Sequence, residues 1–321
     1  MLFGTASTGE PVEKITIGSN DLSVSILTWG AIIQDLRLTG IDRSLTLGAT
    51  SMADYEGELL HHGALIGPIA NRISNARIKI DGMMYELERN QDNRIHLHSG
   101  SEATHRRNWT VSDRSDSHVT LTCDLPDGTC GLPGNRSIAV TYTVSGTTLE
   151  TLVTGTTDAP TAMNFASHPF WNLDGTDTWA GHQLQIAADH YLPTDADCCP
   201  TGEIALVSGT RFDLRQMRAL TPGTDQFDHN FCLSDQPTAL RDVATLKGTS
   251  GVTLTLATTA PGLQVYDNQG AIRPGRQAYE GLVFEPQHWP DAPNHAGFPP
   301  ILVGPDETYV QRTTWRFSNE D

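Results

Sequence analysis

Hydrophobic and polar residues alternate with a period of two along much of this chain. His118-Val-Thr-Leu-Thr-Cys123, Val252-Thr-Leu-Thr-Leu-Ala257 and Val310-Gln-Arg-Thr-Thr-Trp-Arg-Phe317 are the clearest stretches. Such alternation sends one set of side chains to a buried face and the other to water, which predicts strands. Further strands are predicted at Glu13–Gly18, Leu22–Leu27, Ala31–Leu38, Ala76–Ile80, Ser137–Val144, Thr148–Gly155 and Leu282–Glu285. Turn pairs such as Asp81-Gly82, Asp127-Gly128 and Ser145-Gly146 punctuate them. Helical spacing is rare: Ser51–Leu60, opened by a capping serine, and Thr238–Lys247 are the two predicted helices. Strands do not alternate with long helices, so a doubly wound parallel sheet is disfavoured. No short repeat, low-complexity tract or linker interrupts the pattern. The expectation is an all-β fold over residues 1–321, a single sandwich-like domain, mostly antiparallel, with few short helices. Packed sheets of this kind leave a concave face on which a ligand can lie.

Composition narrows the partners. The chain has 321 residues, 38% of them hydrophobic, and 38 acidic against 21 basic residues give a formal charge of −17. That charge repels phosphate backbones and anionic lipid, so neither nucleic acid nor a membrane surface is expected as a partner. Lys14, Lys79 and Lys247 are the only lysines, and His105-Arg106-Arg107 is the one small basic run. The opening MLFGTASTGEPVEK lacks a basic segment followed by an apolar one, and no apolar stretch is long enough to span a bilayer. Five cysteines, odd in number and sparse, suit a reducing compartment. A cytoplasmic location is expected.

Chemistry must come from a limited set of groups. Twelve histidines are present, yet none follows a His-Glu-x-x-His or paired Cys-x-x-Cys spacing. His96-Leu97-His98 would set two imidazoles on one strand face, where strand-edge or substrate contacts outweigh a metal. His61-His62 read as structural, and Cys198-Cys199 as inert thiols in a loop. Phosphate-binding loops, dinucleotide fingerprints and Gly-x-Ser-x-Gly elbows are absent. Acid–base chemistry by His, Asp and Glu remains, with no cofactor and no metal expected.

Four segments concentrate such groups. They are Ile66–Ile73 (IGPIANRI) with Asn90–Gly100 (NQDNRIHLHSG), Asn164–Leu173 (NFASHPFWNL), Phe227–Phe231 (FDHNF) and Gly281–Asn294 (GLVFEPQHWPDAPN). In this order, and with Ile301–Tyr309 closing the series, they resemble the aldose 1-epimerases, the galactose mutarotase family. The resemblance rests on Asn71-Arg72, Leu97-His98, His168-Pro169, Asp228-His229 and Glu285-Pro286-Gln287. It implies a galactose mutarotase-like β-supersandwich in which His168 is the general acid and Glu285 the general base. Arg72, His98 and Asp228 would hold the sugar hydroxyls, with Asn71 beside them. Pro68, Ser99, Ser101–Arg107 and Trp171 depart from the family pattern. They are expected around the site rim, where they bear on the sugar preferred rather than on the reaction.

Mutarotation opens a cyclic hemiacetal at C1 and closes it on the other face. A proton leaves the anomeric hydroxyl while another reaches the ring oxygen, and the roles reverse on closing. A histidine titrating near ~6.5 among carboxylates is suited to the acid role, and a part-buried carboxylate to the base. Trp289 and Trp171 are expected to offer an apolar face to the sugar. The expected partner is a small-molecule monosaccharide, bound by a monomer or homodimer. Competing readings are a glycosidase using Glu285 with Asp228 or Asp291, a non-catalytic carbohydrate-binding sandwich, and an epimerase of a charged sugar such as a hexose phosphate.

Overall fold

The computed structural model describes residues 1–319. Its larger sheet has nine strands. Their order is Thr110–Arg114, His118–Leu125, Arg136–Ser145, Thr148–Thr157, Tyr309–Asn319, Val252–Thr258, Arg241–Lys247, Gln183–Ile186, Arg218–Ala219. Neighbours pair antiparallel throughout. The strand nearest the C-terminus is therefore central, bonded to strands that precede it by much of the chain. Leu2–Thr5, Pro11–Gly18, Leu22–Leu27 and Ile33–Leu38 make a four-stranded sheet. A six-stranded sheet runs Phe170–Trp171, Leu282–Gln287, Gly262–Tyr266, Asp228–Cys232, His190–Tyr191, Ala205–Leu206.

The predicted alternation is realised as burial. Arg136–Ser145 and Thr148–Thr157 turn every second side chain inward, and Ser145 pairs with Thr148 across a turn that Gly146 (φ 54°) enters. One apolar cluster joins Val24 and Ile26, Val140, Trp315 and Phe317, and Phe231, Val265 and Phe284, one group from each sheet. Trp171 lies fully buried at ring distances of 5.1 Å from Trp315 and 5.5 Å from Phe317. Burying a large apolar side chain of this kind stabilises the fold by roughly 1.5–3 kcal/mol.

Helix is scarce. Met52–Glu56 is the single α-helix among the described residues, capped by Ser51 Oγ, which accepts from the Asp54 amide at 3.2 Å. The predicted helix at Thr238–Lys247 is instead the strand Arg241–Lys247. A β-bulge between Asp242 and Ala244 turns the adjacent Val243 and Ala244 both inward. With Leu240 before them, that produces the i, i+3, i+4 spacing of a helix. No helix among the described residues is long and apolar enough to cross a membrane.

The six-stranded sheet positions the functional face. Register places Asp228 opposite Tyr266 and Tyr266 opposite Val283, with Val283 opposite Phe170. The next row on that face is Asn230, Gln264 and Glu285. The alternate rows, His229–Val265–Phe284 and Phe231–Leu263, turn the other way, toward the main core. One face thus packs against the main core, and the other carries the polar groups Asp228, Asn230, Gln264 and Glu285 beside Phe170 and Val283.

Candidate active site

A cavity of about 480 Å³ opens over that polar face. His61, Asn71, Arg72, His98, His168, Phe170, Cys198, Asp228, Tyr266 and Glu285 line it. All six residues singled out from the sequence therefore meet around one space, brought there by separate segments.

His168 and Glu285 define its buried end. Glu285 sits in the strand Leu282–Gln287, every residue of which is buried. His168 is fixed through its backbone: its amide donates to Ala64 O and its carbonyl accepts from the Gly63 amide, each at 2.9 Å. His168 Nε2 lies 3.6 Å from Glu285 Oε1. Nδ1 of the histidine and Oε2 of the glutamate are buried with no hydrogen-bond partner. Two polar groups so placed are costly unless a ligand completes them.

Their proton affinities run against the expectation. Burial, then the negative Asp228, push Glu285 up to about 8, with Arg72 opposing. Burial, then the neighbouring His61 and His62, hold His168 well below the usual imidazole range. These opposite shifts favour one shared proton at neutral pH, held on the carboxyl group. The expected resting imidazolium among carboxylates is not formed, because burial and the adjacent imidazoles of His61 and His62 outweigh the Glu285 carboxyl beside it.

Arg72, Asp228 and His98 line the cavity beside this pair. Arg72 Nη1 meets Asp228 Oδ2 at 3.2 Å, and its Nε donates to Gln91 Oε1 at 3.0 Å. Gln264 Nε2 donates to Asp228 Oδ1 at 2.6 Å. Asn71 takes the left-handed conformation (φ 62°); its amide donates to His98 Nδ1 at 3.0 Å and its side-chain oxygen accepts from the Arg72 amide at 2.9 Å. Because Nδ1 of His98 accepts, the proton of the neutral ring is on Nε2, making the free nitrogen a donor.

That tautomer bears on metal binding. His98, His168 and Glu285 bring ligand-type atoms within 4.8 Å of one another, a grouping no sequence spacing predicted. A protonated Nε2 on His98 suits a hydroxyl oxygen and would have to surrender its proton, and with it the Asn71 contact, to bind a cation. The donor set fits a polyhydroxylated ligand.

Several expectations need correction. His96 and His98 do not share a strand face: the strand ends at Leu97, His98 turns to φ 51°, and His96 Nδ1 meets Glu88 O at 2.7 Å away from the cavity. Trp171 and Trp289 offer no face to a ligand, since Trp171 is core and Trp289 packs edge-on against Phe298 at 5.2 Å. Phe170 lines the cavity instead, backed by His62 stacked on it at 3.8 Å. Pro68 and Ser99 are buried beneath the site rather than at its rim, with Ser99 Oγ accepting from the Ile69 amide at 2.6 Å. His61 faces the cavity rather than serving only structure, and so does Cys198, while Cys199 is buried.

Sequence reasoning passed over His61, Phe170, Gln264, Tyr266 and Cys198. Phe170 lies within the Asn164–Leu173 segment, and Gln264 stands two positions from Tyr266 in a short apolar strand, the period that puts both on one face. No local signal marked His61 or Cys198.

Solved structures share this architecture. An aldose epimerase homologue from C. elegans superposes with a TM-score of 0.90 at 28% identity, over 97% of this chain and all of that one. A galactose 1-epimerase from Lactobacillus acidophilus superposes with a TM-score of 0.86 over the full chain and 98% of its own, and at 24% identity this speaks for the fold alone. The molecule is a galactose mutarotase-like β-sandwich with a polar pocket on one sheet. Residues 13–316 match the aldose 1-epimerase family model, and the chain belongs to that family. Galactose mutarotase of Rattus norvegicus is 34% identical across 97% of this chain and 96% of its own length. The human galactose mutarotase is also 34% identical over the same shares. Aldose 1-epimerase of Escherichia coli is 31% identical across 98% of each.

Proposed function

We propose that this chain is an aldose 1-epimerase, an isomerase that interconverts the α and β anomers of a free, neutral aldose. The observation that carries the reading is the His168–Glu285 pair, 3.6 Å apart at the buried end of the cavity, each with an unpartnered polar atom. Ring opening needs one group to take a proton from the C1 hydroxyl and another to give one to the ring oxygen, and this pair holds one proton to move.

A bound sugar would set the proton in place. The C1 hydroxyl donating to Glu285 favours its carboxylate, and the ring oxygen accepting from His168 favours its imidazolium. The proton therefore passes from Glu285 to His168 as the sugar seats, leaving a base at O1 and an acid at the ring oxygen. Each positioned transfer typically contributes about 10²–10⁴-fold. After rotation about the C1–C2 bond, both transfers reverse and the ring closes on the other face. Arg72, Asp228 and the Nε2 proton of His98 would hold the remaining hydroxyls, with Asn71 fixing His98 and Arg72 to one another.

Other readings fit less well. Asp228 is engaged by Arg72 and Gln264, and Asp291 is occupied by the Ser74 amide and the Asn294 and His295 side chains. Neither is a free second carboxylate for glycoside cleavage. Arg72 is the only cation among the described lining residues, and Arg106 and Arg107 are not among them, which favours a neutral sugar over a phosphorylated one. A cytoplasmic setting belongs to the same proposal, supported by five cysteines that all remain free thiols.

Polarimetry on freshly dissolved α-anomers tests the function. Faster approach to anomeric equilibrium by the purified protein, without release of an aglycone from a chromogenic glycoside, supports mutarotation. Sugar binding with no acceleration would instead select a binding module.

A further inference from the structure

His61 lines the cavity and helps keep His168 neutral, yet the acid–base scheme gives it no contact with the sugar. Its place relative to His168 is fixed by the chain, because the Gly63 and Ala64 backbone groups that bond His168 lie two and three residues further on. Its ring lies 5.9 Å from that of His168, 4.8 Å from His98 and 5.0 Å from His105, which meets it edge-on. It packs among three imidazoles, and neither of its ring nitrogens bonds any described residue. Burial, then the charge of Arg106, push it down to about 4, so it is neutral at physiological pH. A neutral imidazole offers one N–H and one lone pair, which matches a hydroxyl and not an anion.

Sugar geometry says which hydroxyl. On the mutarotase reading, Glu285 serves the oxygen on C1 and His168 serves the ring oxygen. The ring oxygen's other neighbour is C5, so a side chain beside His168 and outside the close set of His98, His168 and Glu285 is placed to meet what C5 carries. In an aldohexose that is a hydroxymethyl group; in an aldopentose it is hydrogen. Resting on that reading, we propose that His61 is a specificity-determining contact to the C5 hydroxymethyl group, selecting aldohexoses over aldopentoses.

Matched sugars test this. D-Galactose and L-arabinose share configuration around the ring and differ only by that group, as do D-glucose and D-xylose. His61→Phe keeps a ring of similar width and removes both nitrogens. The expected result is a fall of about 10-fold or more in the hexose-to-pentose ratio of kcat/KM, mostly through the hexose KM, on top of any loss common to both sugars that comes from the effect of His61 on His168. His61→Asn, which restores a donor and an acceptor, should recover part of the hexose preference. Equal losses on hexose and pentose, or an unchanged ratio in an active folded variant, would overturn the assignment and show that His61 only supports His168. Failure of the wild-type protein to accelerate any aldose would instead defeat the mutarotase reading itself, and this inference with it.

Discussion

His168 Nε2 and Glu285 Oε1 stand 3.6 Å apart at the closed end of the cavity, and burial shifts the two groups in opposite directions. The carboxyl is raised to about 8 and the imidazole is lowered, so one proton serves both.

Replacing Glu285 with Gln keeps its shape and removes the base, so kcat should fall at least ~10²-fold. His168→Asn should do likewise, with sugar affinity altered far less because Arg72, His98 and Asp228 still hold the ring. The double variant should be little worse than either single one, since groups that act as a unit are non-additive. Polarimetry on the three proteins checks this; near-normal turnover of Glu285→Gln would remove that residue from the mechanism.

The pH dependence follows from the same pair. The active free enzyme carries one proton on the pair, so kcat/KM should form a bell. Its alkaline limb should lie near pH 8, where Glu285 loses its proton, and its acid limb below the ordinary imidazole range, where His168 gains one. The limbs are thus inverted relative to a carboxylate titrating low and an imidazole high. A sharp alkaline fall below pH 7 would contradict the assignment.

Stability should move against activity. A carboxyl raised from its usual value to about 8 favours the folded state only while protonated. Folding is therefore penalised increasingly as pH rises from the unfolded pKa toward 8. Glu285→Gln should remove a penalty on the order of 1–3 kcal/mol at pH 7. Thermal denaturation at pH 5 and pH 7.5 measures it, with the larger rise in Tm expected at the higher pH.

Arg72 ties the polar lining together through Asp228 and Gln91. Arg72→Lys keeps the charge but cannot reproduce its planar fork. KM for the preferred sugar should rise by roughly 10-fold or more, with a smaller effect on kcat. Steady-state polarimetry over a range of sugar concentrations separates the two. An unchanged KM would remove Arg72 from the sugar contacts.

Much of this molecule was legible before its structure. The strands at Arg136–Ser145 and Thr148–Thr157 follow from alternation alone, because a half-buried strand must repeat every second residue. The segment Thr238–Lys247 misled because a bulge imitates helical spacing, and bulges depend on the partner strand rather than on local sequence. The ordered motifs around Arg72, His98, His168, Asp228 and Glu285 pointed to one chemistry, since each retains the residue types that proton transfer and hydroxyl binding require.

Tertiary structure decided the rest. His61 became a wall of the cavity because the backbone of Gly63 and Ala64 pairs with His168, a contact between segments far apart in the chain. Trp171 left the expected ligand face because sheet packing carried it against Trp315 and Phe317. The proton moved from His168 to Glu285 because desolvation and neighbouring charges depend on what surrounds a group in space. Alternation and motif order are local properties that a chain carries along its length. Burial and proximity exist only once the sheets have packed, and those set the proton affinities on which this site depends.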